Sequence, residues 1–275
     1  MSFSIGVIGL GRIAQAIILP LLERGKFNPK DVFSVVGSKS SVEFLRNKFP
    51  KQINVVSVDD PKGMRVWESS IQLLAVKPNQ LESVLEKVRG HKLSESLNKP
   101  LLVSVLAGVN LQRLEASFPQ HICVRAVPNT PSLVSQGLTG LSWGNGISSE
   151  QQTSVKDLFN SISEVYELPE DQMDAFLALT SSGPAYVALI TEALSDGAVA
   201  AGLPRALAND LAKKTIAGTV SLLTQHQLHP AELKDMVASP GGTTIAALRH
   251  LEKAGLRSAL MEAVLAAASR SRELA

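Results

Sequence analysis

Ile8-Gly9-Leu10-Gly11-Arg12-Ile13-Ala14 joins a short apolar run, Ser4–Ile8, to an amphipathic one, Ile13–Glu23, in which Ala14, Ile17, Ile18 and Leu21 recur at helical spacing. Each small residue of this Gly-x-Gly-x-x-Ala turn has a physical reason. Gly9 permits the tight turn, Gly11 lets a pyrophosphate approach the backbone, and Ala14 lets the helix pack closely. The helix start adds unbonded amide hydrogens and the positive end of a dipole, which together favour phosphate. Alone, the motif also reads as an ordinary tight turn. Its place in the first strand–helix–strand unit of an alternating chain is what predicts a dinucleotide site.

Outward from that turn, short β-branched runs alternate with longer amphipathic ones as far as about residue 170. The runs Ser4–Ile8, Val32–Val36, Asn54–Ser57, Ile71–Val76, Leu101–Leu106, Ile122–Val127 and Thr139–Trp143 read as strands. Between them Ile13–Glu23, Ser41–Lys48, Asp60–Ser69, Asn79–Val88, Leu111–Ser117 and Glu150–Phe159 read as helices. Several strands are almost continuously apolar, which predicts a parallel sheet covered on both faces.

Alanine marks a change of architecture. Residues 1–170 contain 6 alanines, whereas residues 171–275 contain 23. Alanine is the strongest helix former and lets helices approach closely, so the second stretch is expected to be all-helical. The reading is an α/β Rossmann-type dinucleotide-binding domain over 1–169, followed by an all-α C-terminal domain over 170–275. The wider composition excludes other classes. With 27 Lys+Arg against 25 Asp+Glu the net charge is +2, so no cationic patch recommends nucleic acid. The single cysteine, Cys123, excludes an internal disulfide and fits a reducing compartment. Met1-Ser2-Phe3-Ser4 carries no basic region or cleavage site, and no window reaches 18 uninterrupted apolar residues, so a cytoplasmic chain without a membrane span is expected.

The end of the second strand bears on the cofactor. An acid there would hold a ribose 2′-hydroxyl and repel a 2′-phosphate. The sequence instead runs Val36-Gly37-Ser38-Lys39-Ser40-Ser41, two hydroxyls around a lysine, which favours NADPH with NADH admitted as a second donor. A solvated loop is the plainer alternative. Three later strand ends, Ala75-Val76-Lys77-Pro78-Asn79, Leu106-Ala107-Gly108-Val109 and Val127-Pro128-Asn129-Thr130-Pro131, also carry small residues and prolines where α/β sheets bind ligands.

In the helical stretch, Ser239-Pro240-Gly241-Gly242-Thr243-Thr244 opens a helix. Its amides and hydroxyls together suit a small carboxylate, and equally a glycine-rich turn capped by a threonine. Apolar stripes on Ala185–Ala201 and Ala206–Leu223 exceed what one small bundle buries, which points to a second subunit; mutual packing in a monomer is the alternative. His226 and His229 lack nearby ligand partners, so no metal is expected.

Several blocks together resemble one family. They are Gly-Val-Ile-Gly-Leu-Gly at 6–11, Ala-Val-Lys-Pro at 75–78, Ser-Val-Leu-Ala-Gly-Val at 104–109, Arg-Ala-Val-Pro-Asn-Thr-Pro at 125–131, Ser-Ser-Gly-Pro-Ala-Tyr at 181–186 and Ser-Pro-Gly-Gly-Thr-Thr at 239–244. Over nearly its whole length the chain resembles the pyrroline-5-carboxylate reductases. The resemblance implies NAD(P)H-dependent reduction of the C=N bond of 1-pyrroline-5-carboxylate to L-proline, the last step of proline biosynthesis. It makes the helical domain a dimerisation domain that interleaves with its partner, in a homodimer and often a ring of dimers. It places Gly9, Leu10, Gly11, Arg12 and Ile13 at the pyrophosphate and Ser38, Lys39 and Ser40 at the 2′-phosphate. Ala75, Val76, Lys77, Pro78 and Ala107 would line the nicotinamide, together with Asn129, which is also counted with the substrate-binding residues. Ser239, Gly241, Gly242 and Thr243 would bind the substrate carboxylate, and Thr244 would hydrogen-bond the ring nitrogen as the catalytic hydroxyl.

Overall fold

The structure, a computed structural model, describes residues 4–48, 53–88 and 99–274; the reading of Met1–Phe3 lies outside them. Among the described residues one sheet contains β1 (Ile5–Ile8), β2 (Val32–Val36), β3 (Asn54–Ser57), β4 (Ile71–Leu74), β5 (Leu101–Ser104), β6 (Ile122–Pro128), β7 (Gly137–Trp143) and β8 (Ser163–Glu167). Its order is β3-β2-β1-β4-β5-β6-β7-β8, and every neighbouring pair is parallel except β6 with β7. Ile8, the last residue of β1, sits opposite Val35 on one side and Leu74 on the other. The carboxyl ends of β1, β2 and β4 therefore align where the strand order reverses, the place at which open α/β sheets hold ligands.

Both faces are covered by α1 (Arg12–Glu23), α2 (Lys39–Lys48), α3 (Leu81–Val88), α4 (Leu111–Ser117) and α5 (Ser149–Asn160). Alternate strand residues go to opposite cores. Ile5, Val7, Leu73 and Val103 join Ala14, Ile17 and Leu21 of α1 on one face. Ile8, Leu74 and Leu102 join Trp67, Leu114 and Phe118 on the other. Cys123 belongs to this second core, where burial pushes its thiol up to about 12; it packs as a small apolar side chain.

Two elements depart from the sequence reading. Asp60–Ser69, expected as an α-helix, is a 3-10 helix over Pro61–Glu68. The Asp60 side chain accepts from the Lys62 amide at 2.9 Å, and Pro61 and Gly63 both disfavour an α-helical run. The edge strand β8 was not anticipated, because Ser163-Glu164-Val165-Tyr166-Glu167 is too polar to read as an apolar run. It adds to β7 in register, with the Thr139 and Ser163 hydroxyls 2.7 Å apart.

The described residues pack as two compact units, one within Met1–Ser181 and Ala267–Ala275, the other Ser182–Ala266. This division of packing falls later than 169/170 and returns the chain's end to the first unit. Arg125 of β6, 2% exposed, is the physical reason. Its guanidinium donates to Glu170 and to Asp174, each at 2.8 Å, and so ties α6 (Met173–Thr180) to the sheet. Asp174 also accepts from the Ser271 hydroxyl at 2.8 Å. Ser271 in turn lies against the turn after β5, so that a Cβ on Gly108 would stand 2.6 Å from its carbonyl oxygen.

The second unit consists of α7 (Gly183–Ala200), α8 (Arg205–Gln225), α9 (Pro230–Met236), α10 (Thr243–Lys253) and most of α11 (Leu256–Glu273). Its own packing covers little apolar surface. α7 buries only Ser195, α8 only Ala208 and Ala212, and α10 nothing. Leu189, Val220, Met261 and Leu265 are each more than half exposed. Although it holds no uninterrupted apolar run of 18, Glu170–Ala200 is long and apolar enough by composition to cross a membrane. It consists of a 3-10 turn, Glu170–Gln172, followed by α6 and α7, which are separated at Ser181-Ser182.

Candidate active site

The aligned carboxyl ends of β1, β2 and β4 open into a cavity of about 730 Å³. Its wall includes Gly9, Leu10, Gly11, Gly37, Ala75, Val76 and Lys77. The turn is pinned from both sides: the Gly9 amide donates to the Val35 carbonyl at 2.9 Å, and the Ala75 amide donates to the Ile8 carbonyl at 2.8 Å. Gly9 has φ +89°, and a Cβ there would lie 2.8 Å from the Ala75 carbonyl oxygen, so glycine is required. Beside Gly11 nothing lies within 4 Å of the corresponding point. Gly11 caps α1 without a side chain, and the first intrahelical bond runs from the Gln15 amide to the Gly11 carbonyl at 2.9 Å. The amides before Gln15, with Arg12 exposed and Ile13 half-buried in the first turn, are left for an external acceptor. Open space, an uncapped helix start and a volume of this size fit a dinucleotide.

At the far rim, Gly37 and Ser41 belong to the wall while Ser38, Lys39 and Ser40 stand just beyond it at the start of α2. The Ser38 hydroxyl lies 3.0 Å from that of Ser40 and 2.9 Å from that of Ser41, and it accepts from the Ser41 amide at 3.2 Å. Three hydroxyls, a lysine and a helix N-terminus thus share one spot, with no carboxylate among them.

The remaining expected residues are distributed around neighbouring strand ends. Pro78 starts a 3-10 turn, Pro78–Gln80, held by the Lys77 amide donating to the Gln80 side chain at 3.1 Å. Ala107 is half-buried after β5, outside the cavity wall. Asn129 is 4% exposed, and its amide is already engaged. It donates to the Thr180 carbonyl at 3.0 Å and accepts from the Leu138 amide at 2.8 Å. In this arrangement the side chain fixes the backbone at the end of β6.

Within the second unit, Ser239, Gly241, Gly242, Thr243 and Thr244 form one turn leading into α10. Gly242 is the cap and makes no side-chain bond, Gly241 has φ +68°, and the Gly242 amide donates to the Ser239 carbonyl at 3.0 Å. Ser239 and Thr243 are exposed and Thr244 is half-buried. Neither threonine acts as a cap, so both hydroxyls and the first amides of α10 remain available. His229, by contrast, is occupied: its Nδ1 accepts from the Ala231 amide at 3.2 Å as the cap of α9.

Sequence reasoning missed several wall residues. Ser41, Asp59, Asp60, Trp67, Ser83 and Lys87 all line the cavity. The signal available for two of them was position alone, since Val58-Asp59-Asp60-Pro61 follows β3 at the same end of the sheet as Gly9. Trp67, Ser83 and Lys87 arrive from the 3-10 helix and α3, whose docking depends on tertiary packing.

A glycine-rich cleft at the switch point of a parallel sheet, with a helical region behind it in sequence, defines a pyridine-dinucleotide oxidoreductase of the two-domain Rossmann type. The comparisons narrow the class. Residues 170–274 match a family model described as pyrroline-5-carboxylate reductase dimerisation, and residues 4–108 one described as NADP oxidoreductase, coenzyme F420-dependent. A pyrroline-5-carboxylate reductase from Synechocystis sp. is 44% identical over 275 residues, covering 100% of this chain and 99% of the relative. One from Arabidopsis thaliana is 39% identical, covering 99% and 96%. The crystal structure of Plasmodium falciparum pyrroline carboxylate reductase with NADP bound superposes with a TM-score of 0.87 at 30% identity, covering 99% and 98% of the two chains. The chain belongs to the pyrroline-5-carboxylate reductase family. It is an NADP-dependent oxidoreductase with a C-terminal dimerisation domain.

Proposed function

We infer that this chain reduces the C=N bond of 1-pyrroline-5-carboxylate to give L-proline, the last step of proline biosynthesis. The observation that carries this reading is the joint presence of an open switch-point cleft and an uncapped Gly-Gly-Thr-Thr turn in a chain related end to end to these reductases. NADPH, when bound, supplies the hydride. The protein's share is orientation and polarisation, which need no strong acid or base. Gly9 shapes the turn, its amide being bonded to Val35, and with Leu10, Gly11, Arg12 and Ile13 it holds the pyrophosphate, while Ser38, Lys39 and Ser40 hold the 2′-phosphate. Ala75, Val76 and Lys77 form the side of the cleft that orients the nicotinamide, with Pro78 and Ala107 next to it and Asn129 at the end of β6. Ser239, Gly241, Gly242 and Thr243 bind the substrate carboxylate. The Thr244 hydroxyl holds the ring nitrogen while the adjoining carbon becomes tetrahedral.

The exposed apolar faces of the helical unit support a homodimer in which each active site combines a cleft from one chain with the Gly-Gly-Thr-Thr turn of another, within a ring of dimers. A net charge of +2 and a single, buried cysteine support work on small molecules in the cytoplasm, away from nucleic acid and membrane. The test is NADPH oxidation with 1-pyrroline-5-carboxylate, repeated with NADH, with NADP⁺ reduction by 3-hydroxyisobutyrate as the control reaction. Turnover with the first substrate is expected, and silence there overturns the reading. Thr244→Ala should lower kcat roughly 10- to 1000-fold, typical of one oriented hydrogen bond, with NADPH affinity unchanged.

A further inference from the structure

Gln15 is the one polar side chain of α1 that the helix turns inward, 9% exposed among Ala14, Ala16, Ile17 and Ile18. A glutamine in that setting costs free energy unless its amide is bonded. Its Nε2 donates to the carbonyl oxygen of Leu10 at 2.9 Å. Leu10 is the residue between the two glycines of the phosphate turn and lines the cavity. We propose that Gln15 is a positioning residue for cofactor binding: by holding the Leu10 carbonyl inward it aims the Gly11 amide hydrogen out into the cleft.

The reason is peptide geometry. In a trans peptide the C=O of one residue and the N–H of the next point in opposite directions, and the Leu10–Gly11 bond is trans. Of the two torsions that turn this plane, Leu10 ψ and Gly11 φ, the second belongs to a glycine and is unrestricted by a side chain, so the plane is only loosely held by its own backbone. An unanchored plane could present the Leu10 carbonyl to the pyrophosphate, oxygen against oxygen. Gln15 removes that orientation, so the Gly11 amide is ready before the ligand arrives. Glycine supplies the space for the phosphate, and Gln15 fixes the direction of the donor.

This inference rests on the dinucleotide reading of the cleft and is tested separately from it. NADP⁺ and NAD⁺ are titrated into the full-length wild type, Gln15→Met and Gln15→Glu by calorimetry, with KM for 1-pyrroline-5-carboxylate measured in parallel. Gln15→Met keeps length and removes the donor. It should weaken both nucleotides by the same factor, about tenfold, because the pyrophosphate is common to them, and should leave the substrate KM within about twofold. Gln15→Glu adds a signature that loosened packing would not produce. Its protonated carboxyl can donate to Leu10 and its carboxylate cannot, so its affinity should approach wild type toward pH 5.5 and fall at pH 8.5, relative to wild type at each pH. Binding by Gln15→Met within twofold of wild type overturns the inference; should that variant not fold, a flat Gln15→Glu profile overturns it equally. A wild type that binds neither nucleotide overturns the cofactor reading itself, and the inference with it.

Discussion

Gly9 and Gly11 look equivalent in the motif, and their surroundings separate them. A side chain at 9 meets the Ala75 carbonyl and a backbone of positive φ, whereas one at 11 meets open space. Gly9→Ala should therefore destabilise the fold by about 2–3 kcal/mol, read as a lower urea midpoint. Gly11→Ala should melt like the wild type yet lose at least tenfold in NADP⁺ affinity, since its methyl group occupies phosphate space. Equal melting losses in the two variants would contradict the assignment. A second residue-scale effect comes from His121. It is buried against Trp67 and Phe118, with its Nε2 2.9 Å from the Gln72 side chain. Burial first, and the Lys99 charge second, push its imidazole down to about 4 from 6.5. The unfolded chain gains a proton near pH 6.5 that the folded chain refuses until about 4. Stability is thus full above about pH 6.5 and falls as pH drops toward 4, with a slope approaching ~1.4 kcal/mol per pH unit from this group. His121→Gln, which cannot titrate, should flatten that part of the urea-midpoint profile between pH 7.5 and 5; an unaltered slope would remove His121 as its source.

At the scale of elements, we propose that the start of α2 carries the choice between nucleotides. The Ser40 hydroxyl is exposed and bonded only within the serine cluster, so its removal should not unfold the helix. Ser40→Ala is expected to raise KM for NADPH roughly tenfold and leave KM for NADH unchanged, the loss of one hydrogen bond to a charged phosphate. An equal change for both cofactors would place the 2′-phosphate elsewhere. The same scale shows what the sequence could and could not convey. β2, β3 and α4 match their expected bounds, because apolar periodicity reports burial directly. The tight turn after β1 is legible because backbone constraint selects glycine at position 9. β8 was not, since an edge strand faces solvent and carries Glu164 and Glu167 where a buried strand would be apolar. Asn129 illustrates a different limit: sequence marked it as special, but only the structure shows its amide spent on Thr180 and Leu138. The inward glutamine of α1 left no trace in the motif, because its partner is a backbone carbonyl, which every residue possesses.

For the whole molecule, the uneven distribution of alanine acquires a physical meaning. The helical unit leaves Leu189, Val220, Met261 and Leu265 exposed because small side chains bring its helices together without enclosing a core. Residues 170–274 match a dimerisation domain, and we propose these faces as the surface that joins subunits. Leu189→Glu combined with Leu265→Glu should lower the mass seen by analytical ultracentrifugation toward that of a single chain and abolish turnover. NADP⁺ binding, which depends on the first unit, should survive; an undiminished mass would exclude these faces from the interface.

The return of residues 267–274 to the first unit has a consequence for how the protein is made. Ser271 bonds Asp174 and lies on the Gly108 turn, so the sheet domain is discontinuous in sequence, with the helical unit as a long excursion between its parts. A ribosome delivers the amino-terminal end first. The Rossmann sheet can assemble early, but its β5 turn stays uncovered until α11 has left the exit tunnel, which couples completion of this unit to prior synthesis of the helical one.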